Sequence, residues 1–91
     1  MSTQRLFDII EDRKNNPTEK SYTSSLFADG LPKIAQKVGE EGTEVVVAAL
    51  AQDDQRLIEE VADLTFHTLV LLSARRLTPA DIIAELEKRH K

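Results

Sequence analysis

The sequence predicts an all-α fold, a four-helix-type bundle dominated by long, antiparallel second and third helices. Three observations lead there. Apolar residues recur at helical spacing along four stretches, with no competing strand-like alternation. Only three glycines and three prolines punctuate the 91 residues, which suggests helices joined by brief connections. The third stretch, Leu64 to Leu72, is apolar nearly all round, which implies burial on more than one side and predicts that a dimer completes the bundle.

The first helix spans Gln4 to Lys14, with Leu6, Ile9, Ile10 and Arg13 at helical spacing. Asn15-Asn16-Pro17 ends it, because proline disfavours helix in the residue before it. Residues 18–30 read as a polar, irregular connection with a short helical turn at Leu26-Phe27 before Asp29-Gly30. The second helix runs from about Pro32 to Ala51 and gathers Ile34, Val38, Val45, Ala48 and Ala49 on one broad side. Gln52-Asp53-Asp54 is a tight connection whose aspartates cap the third helix and complement its N-terminal dipole. That helix extends from about Gln55 to Arg76. The last begins at Thr78-Pro79, a capping residue followed by proline at the first helical position, and carries Ile82, Ile83 and Leu86 to a basic end at Lys88-Arg89. No repeat divides the chain, so residues 1–91 are expected to form a single domain.

Composition excludes several classes of function. Twelve Lys and Arg against sixteen Asp and Glu give a net charge of −4, a poor match for nucleic-acid phosphates. The absence of cysteine excludes a disulfide scaffold and thiolate metal sites. No run approaches the roughly 18–20 apolar residues of a membrane span and the start lacks a leader layout, so a soluble, cytoplasmic protein without a membrane partner is expected. With three Phe, one Tyr and no Trp, the core must be aliphatic, and a chain this small often recruits a metal or a second subunit.

The acids are unevenly placed. Eight of them, against the single base Arg56, fall between Glu40 and Asp63, leaving the rest of the chain mildly basic. Glu41 and Glu44 lie three residues apart on the second helix, and Glu60 and Asp63 three apart on the third, so each pair leaves one helical face. Counted from the turn near Asp53, the heights of the two pairs differ by only ~3 Å in an antiparallel hairpin. Apolar neighbours flank both pairs, so four carboxylates meet at a helix interface with Lys37 as a lone near counter-charge. Like charges taken out of water need neutralising, and an all-oxygen set suits a hard divalent cation, Mg²⁺ or Mn²⁺. The plainer alternative is a solvated acidic face. Gly39 and Gly42 inside the second helix either permit close helix packing or leave room for a ligand, and His67 either bonds to the carboxylates or sits in the core.

Glu40-Glu41-x-x-Glu44 followed by Glu60-x-x-Asp63 resembles the acidic signature of the all-α, MazG-like nucleoside triphosphate pyrophosphohydrolases. Ser21-Tyr22-Thr23, Leu26 and Gly30, then Ile34-x-x-Lys37-x-Gly39, and Ala62-Asp63-Leu64-x-Phe66-His67 with Val70-Leu71-Leu72, are similar to the phosphoribosyl-ATP pyrophosphohydrolase family of histidine biosynthesis. The likeness runs from about Leu6 to Arg89. Gly42 and Phe66 depart from it where alanine and tyrosine are common, and neither change removes a carboxylate.

The resemblance implies a Mg²⁺-dependent homodimer that hydrolyses phosphoribosyl-ATP to phosphoribosyl-AMP and pyrophosphate. It implies Glu41, Glu44, Glu60 and Asp63 as metal ligands, with Glu40 a further ligand or the group that orients water. Lys37 is expected to meet phosphate, the alternative being an ion pair with Glu41. Ser21, Tyr22 and Thr23 are expected to contact substrate, the alternative being a polar connector. Two other functions fit the residues: hydrolysis of dUTP or non-standard nucleoside triphosphates by the same carboxylates, and a non-catalytic helical dimerisation module.

Overall fold

Two 21-residue helices, Leu31–Ala51 and Asp54–Ala74, form the spine of the protein. The computed structural model describes residues 1–90, and among these there are five helices and no strand. In chain order they are α1 (Thr3–Asn15), α2 (Tyr22–Asp29), α3 (Leu31–Ala51), α4 (Asp54–Ala74) and α5 (Pro79–Arg89). Only Gln52 and Asp53 separate α3 from α4, so the pair packs as an antiparallel hairpin. Asp53 caps α4 by accepting from the Arg56 amide at 2.9 Å.

The seam of this hairpin follows a heptad rhythm. On α3 the buried residues are Ile34, Glu41 and Ala48, seven apart, with half-buried Val38 and Val45 between them. On α4 the sequence of inward positions is Leu57, Glu60, Leu64, His67 and Leu71. Polar residues therefore occupy seam positions on both helices at mid-length.

α1 and α2 pack over only one end of the hairpin. The apolar core joins Phe7 and Ile10 of α1, Leu26 of α2, Ile34 of α3, and Leu69, Val70 and Leu72 of α4. The apolar second half of α4 thus packs in part against the chain's own N-terminal helices. Lys14 ties α1 to the C-terminal end of α4, where Nζ donates to the Ser73 carbonyl at 3.1 Å. Ser24 ties α2 to α1 by donating to the Arg13 carbonyl at 2.9 Å.

The four-helix expectation gives way to five because residues 22–29 are helical rather than irregular. Ser21 caps this segment by accepting from the Ser24 amide at 3.1 Å. Gly30, at φ 94°, stops it and serves as the N-cap of α3. The long helices and the Thr78 capping box of α5 match expectation to within two residues.

α5 touches α1 and contains no buried residue. It borders a groove of about 840 Å³ against α1 and α4, lined by Leu64, Leu69, Leu72, Ile82 and Ile83 among others. No helix among the described residues is long and apolar enough to cross a membrane.

Candidate active site

Glu41 and Glu60 come from the facing seams of α3 and α4, and each is only 6 % exposed. The hairpin register brings them together with Asp63, one turn along α4, so that one oxygen of each carboxylate lies within 4.8 Å of the others. Asp63 itself is open to solvent. Oε2 of Glu41 and Oε2 of Glu60 are buried with no hydrogen-bond partner. Buried acceptors normally find a donor, so this cluster, with two orphaned carboxylate oxygens, could hold a cation.

The charges confirm the crowding. Burial, and then the neighbouring Glu44, push the Glu41 carboxyl above the usual carboxylate range. Glu60 is pushed the same way, first by Glu44 and then by burial, against the opposing pull of Arg56. Glu44 is thus close to both, though it lies outside the trio and is exposed. An acid raised by its acidic neighbours is the state a bound cation reverses.

Basic residues stand on the outer side. Lys37 Nζ lies 3.7 Å from Glu41 Oε1 and 3.5 Å from Glu40 Oε2. Tyr22 is the largest influence holding Lys37 above its ordinary value, and Glu40 and Glu41 add to it against partial desolvation. Glu40 remains on the exposed surface of α3, accepting from Gln36 Nε2 at 2.7 Å, and is not drawn into the trio. On α4, Arg56 Nη2 donates to Glu60 Oε1 at 2.7 Å.

Of its two alternatives, His67 takes the buried one: both ring nitrogens are engaged, and neither bonds to a carboxylate. It is buried, and its Nδ1 lies 2.8 Å from the Asp63 carbonyl, which can only accept, so Nδ1 carries the proton. With Nδ1 as the donor, Nε2 is free to accept, and the Tyr22 hydroxyl donates to it at 3.0 Å. Phe66 and Tyr22 flank the imidazole with ring centroids 5.1 and 5.9 Å away. Of Ser21, Tyr22 and Thr23, then, Tyr22 reaches the site. Ser21 is engaged as a helix cap, and Thr23 is half-buried in the first turn of α2.

A sequence model described as phosphoribosyl-ATP pyrophosphohydrolase matches residues 3–90. The chain belongs to this family. It is 52 % identical over 86 residues to a phosphoribosyl-ATP pyrophosphatase of Clostridium botulinum strain Hall, covering 94 % of this chain and 78 % of the relative. A phosphoribosyl-ATP pyrophosphatase of Pyrobaculum calidifontis is 48 % identical over 88 residues, 97 % of this chain and 94 % of that one. A histidine biosynthesis bifunctional protein of Vibrio cholerae is 51 % identical over 87 residues, which are 96 % of this chain and 41 % of the larger protein.

In this member of the family, sequence reasoning pointed neither to one residue beside the carboxylates, Arg56, nor to one contact, Tyr22 to His67. Arg56 stands one turn before Glu60, a spacing that places it beside that carboxylate, but a base preceding an acid is commonplace on exposed helices. The Tyr22–His67 bond joins residues 45 apart and has no local signal. Neither Gly39 nor Gly42 serves close packing within the chain, since a Cβ at either would meet nothing within 4 Å.

Proposed function

We propose that this protein hydrolyses phosphoribosyl-ATP to phosphoribosyl-AMP and pyrophosphate as a step of histidine biosynthesis, in the cytoplasm, through one all-α domain. The observation that carries the reading is the pair of orphaned oxygens on buried Glu41 and Glu60, facing each other in a chain of this family. Glu41, Glu44, Glu60 and Asp63 would hold a hard cation, and an all-oxygen set suits Mg²⁺, with Mn²⁺ as a substitute. Bound there, the ion would neutralise the triphosphate and the charge that develops on departing pyrophosphate.

The chain's own residues supply the rest. The oxygen of water bonds to the α-phosphorus, the α–β anhydride P–O bond breaks with pyrophosphate as the leaving group, and the water's proton passes to a carboxylate, Glu40, and on to solvent. Glu40, exposed beside the trio, orients that water or serves as a further ligand. Lys37 offers its ammonium to the phosphates, where a point charge suits a flexible polyphosphate. Tyr22 is held by His67 and would meet the substrate, with Ser21 shaping the start of α2 that carries it and Thr23 beside it on the same turn. The open flanks at Gly39 and Gly42 leave backbone, rather than side chain, along that part of α3.

A homodimer completes this proposal. The chain exposes 6417 Å², against the roughly 5,300 Å² expected of a folded monomer of its mass. The part of the hairpin not covered by α1 and α2 carries Val46, Val47, Leu50, Ile58 and Val61 in the open. A partner copy seated there would bury these residues beside the carboxylates.

The test is pyrophosphate release in Mg²⁺ from phosphoribosyl-ATP, dUTP and ATP, each with an EDTA control. Metal-dependent release from phosphoribosyl-ATP, at least a hundredfold faster than from the others, is expected. A preference for a simple triphosphate would overturn the substrate, and release that survives EDTA would overturn the metal.

A further inference from the structure

Arg56 lies in the first turn of α4 and reaches toward the carboxylates with both ends of its guanidinium. Nη2 donates to Glu60 Oε1 at 2.7 Å, and Nη1 donates to Glu59 Oε1 at 2.6 Å. The second oxygen of Glu60, Oε2, is buried and has no partner. One oxygen of this carboxylate is therefore fixed and the other left free. α3 repeats the arrangement more loosely, with Lys37 near Glu41 Oε1 and Glu41 Oε2 orphaned.

We propose that Arg56 is a positioning residue for the divalent cation: by tying down Glu60 Oε1 and bracing itself on Glu59, it holds Glu60 Oε2 free to ligate. The inference rests on the trio being a metal centre. It adds a residue that touches neither the ion nor the reacting atoms and acts through Glu60.

Two effects of Arg56 oppose each other. Its positive charge repels an arriving dication, while its hydrogen bond orders the ligand beforehand. The guanidinium is about half exposed, so water and salt screen its charge. The carboxylate it holds is almost wholly out of water, where a fixed geometry is not averaged away. Ordering therefore outweighs repulsion. Hydrogen-bond partners that orient metal-binding side chains are typically worth about 10–100-fold in affinity. Arg56 also borders a cleft of about 380 Å³ with Glu44, Val47, Gln52 and Glu60.

Mn²⁺ titration of the full chain, followed by the electron paramagnetic resonance signal of free Mn²⁺, tests this without turnover. Arg56→Gln should weaken Mn²⁺ binding about tenfold or more relative to wild type. Arg56→Lys keeps the charge but loses the fork, so it should fall between the two and provides the comparison if the glutamine variant folds poorly. Equal or tighter binding in either variant would overturn the role of Arg56. Failure of the wild-type protein to bind Mn²⁺ would instead overturn the metal centre on which it rests.

Discussion

Ser73 is fully buried, and its hydroxyl donates to Glu11 Oε2 at 2.8 Å across the α1–α4 contact. Lys14 Nζ lies 2.7 Å from the same carboxylate oxygen and also donates to the Ser73 carbonyl at the end of α4, where a cation complements the helix dipole. The bond from Lys14 is the largest cause holding the Glu11 carboxyl below its usual range, and Ser73 adds to it against partial burial. The folded-state value is depressed, so the ionised form stabilises the fold above the unfolded-state pKa. That contribution is lost as pH falls through the folded value. Glu11→Gln should therefore destabilise the protein by about 1 kcal/mol at neutral pH, an amount discounted for partial exposure. Thermal melts of both proteins should differ by a few degrees at neutral pH and converge once the pH falls below the depressed folded value of Glu11. A gap that persists unchanged in acid would contradict the ion pair. At this scale the acids of the site were legible in the sequence, because Glu41 and Glu60 interrupt apolar seams at matched height. Their partners were not: Arg56 resembles any surface base, and Tyr22 reaches His67 only through tertiary structure.

Among the helices, α2 was the least legible. Three serines and a threonine lie among residues 21–25, and such side chains compete with helical hydrogen bonding, which masks an eight-residue helix. Only a short helical turn at Leu26-Phe27 was visible, because these two residues give too short an apolar pattern to assign a period. The long helices were legible for the opposite reason: their heptad seams repeat over several turns. The end of α4 carries a strain that spacing does not reveal. Arg76, at φ 60°, takes the left-handed position of a C-terminal cap. Its amide donates to the Ser73 carbonyl at 3.1 Å, and the Leu77 amide donates to the Leu72 carbonyl at 2.8 Å. Glycine adopts this conformation without the cost that a side chain pays, so Arg76→Gly should stabilise the protein by about 1 kcal/mol and raise Tm by a few degrees. A lower Tm in the glycine variant would show that the Arg76 side chain contributes more than its backbone costs.

The whole molecule is more open than a self-sufficient domain of its length. Its radius of gyration is 14.2 Å, where about 12 Å is usual for 91 residues. The excess comes from the uncovered end of the α3–α4 hairpin and from α5, which lies against α1 without burying a residue. Leu50, at 84 % exposure, is the extreme case. The proposed second copy would cover these surfaces, and on that proposal sedimentation equilibrium should give twice the 10.2 kDa chain mass. Leu50→Glu places a charge in that face and should shift the equilibrium toward the single chain, weakening association at least tenfold. A wild-type protein that sediments at the mass of one chain would rule the dimer out. An apolar fourth-helix face was readable in advance as Ile82, Ile83 and Leu86, but which face of α4 the chain covers for itself depends on the packing of α1 and α2.

Turnover by Asp63→Asn bears most directly on the central assignment, because Asp63 is the exposed member of the trio and the substitution removes one ligand charge at constant shape. Pyrophosphate release from phosphoribosyl-ATP at saturating Mg²⁺ should fall at least a hundredfold, with the melting temperature unchanged within a few degrees. Release by Asp63→Asn at a rate near wild type, still dependent on Mg²⁺, would contradict the carboxylate centre as the seat of the reaction.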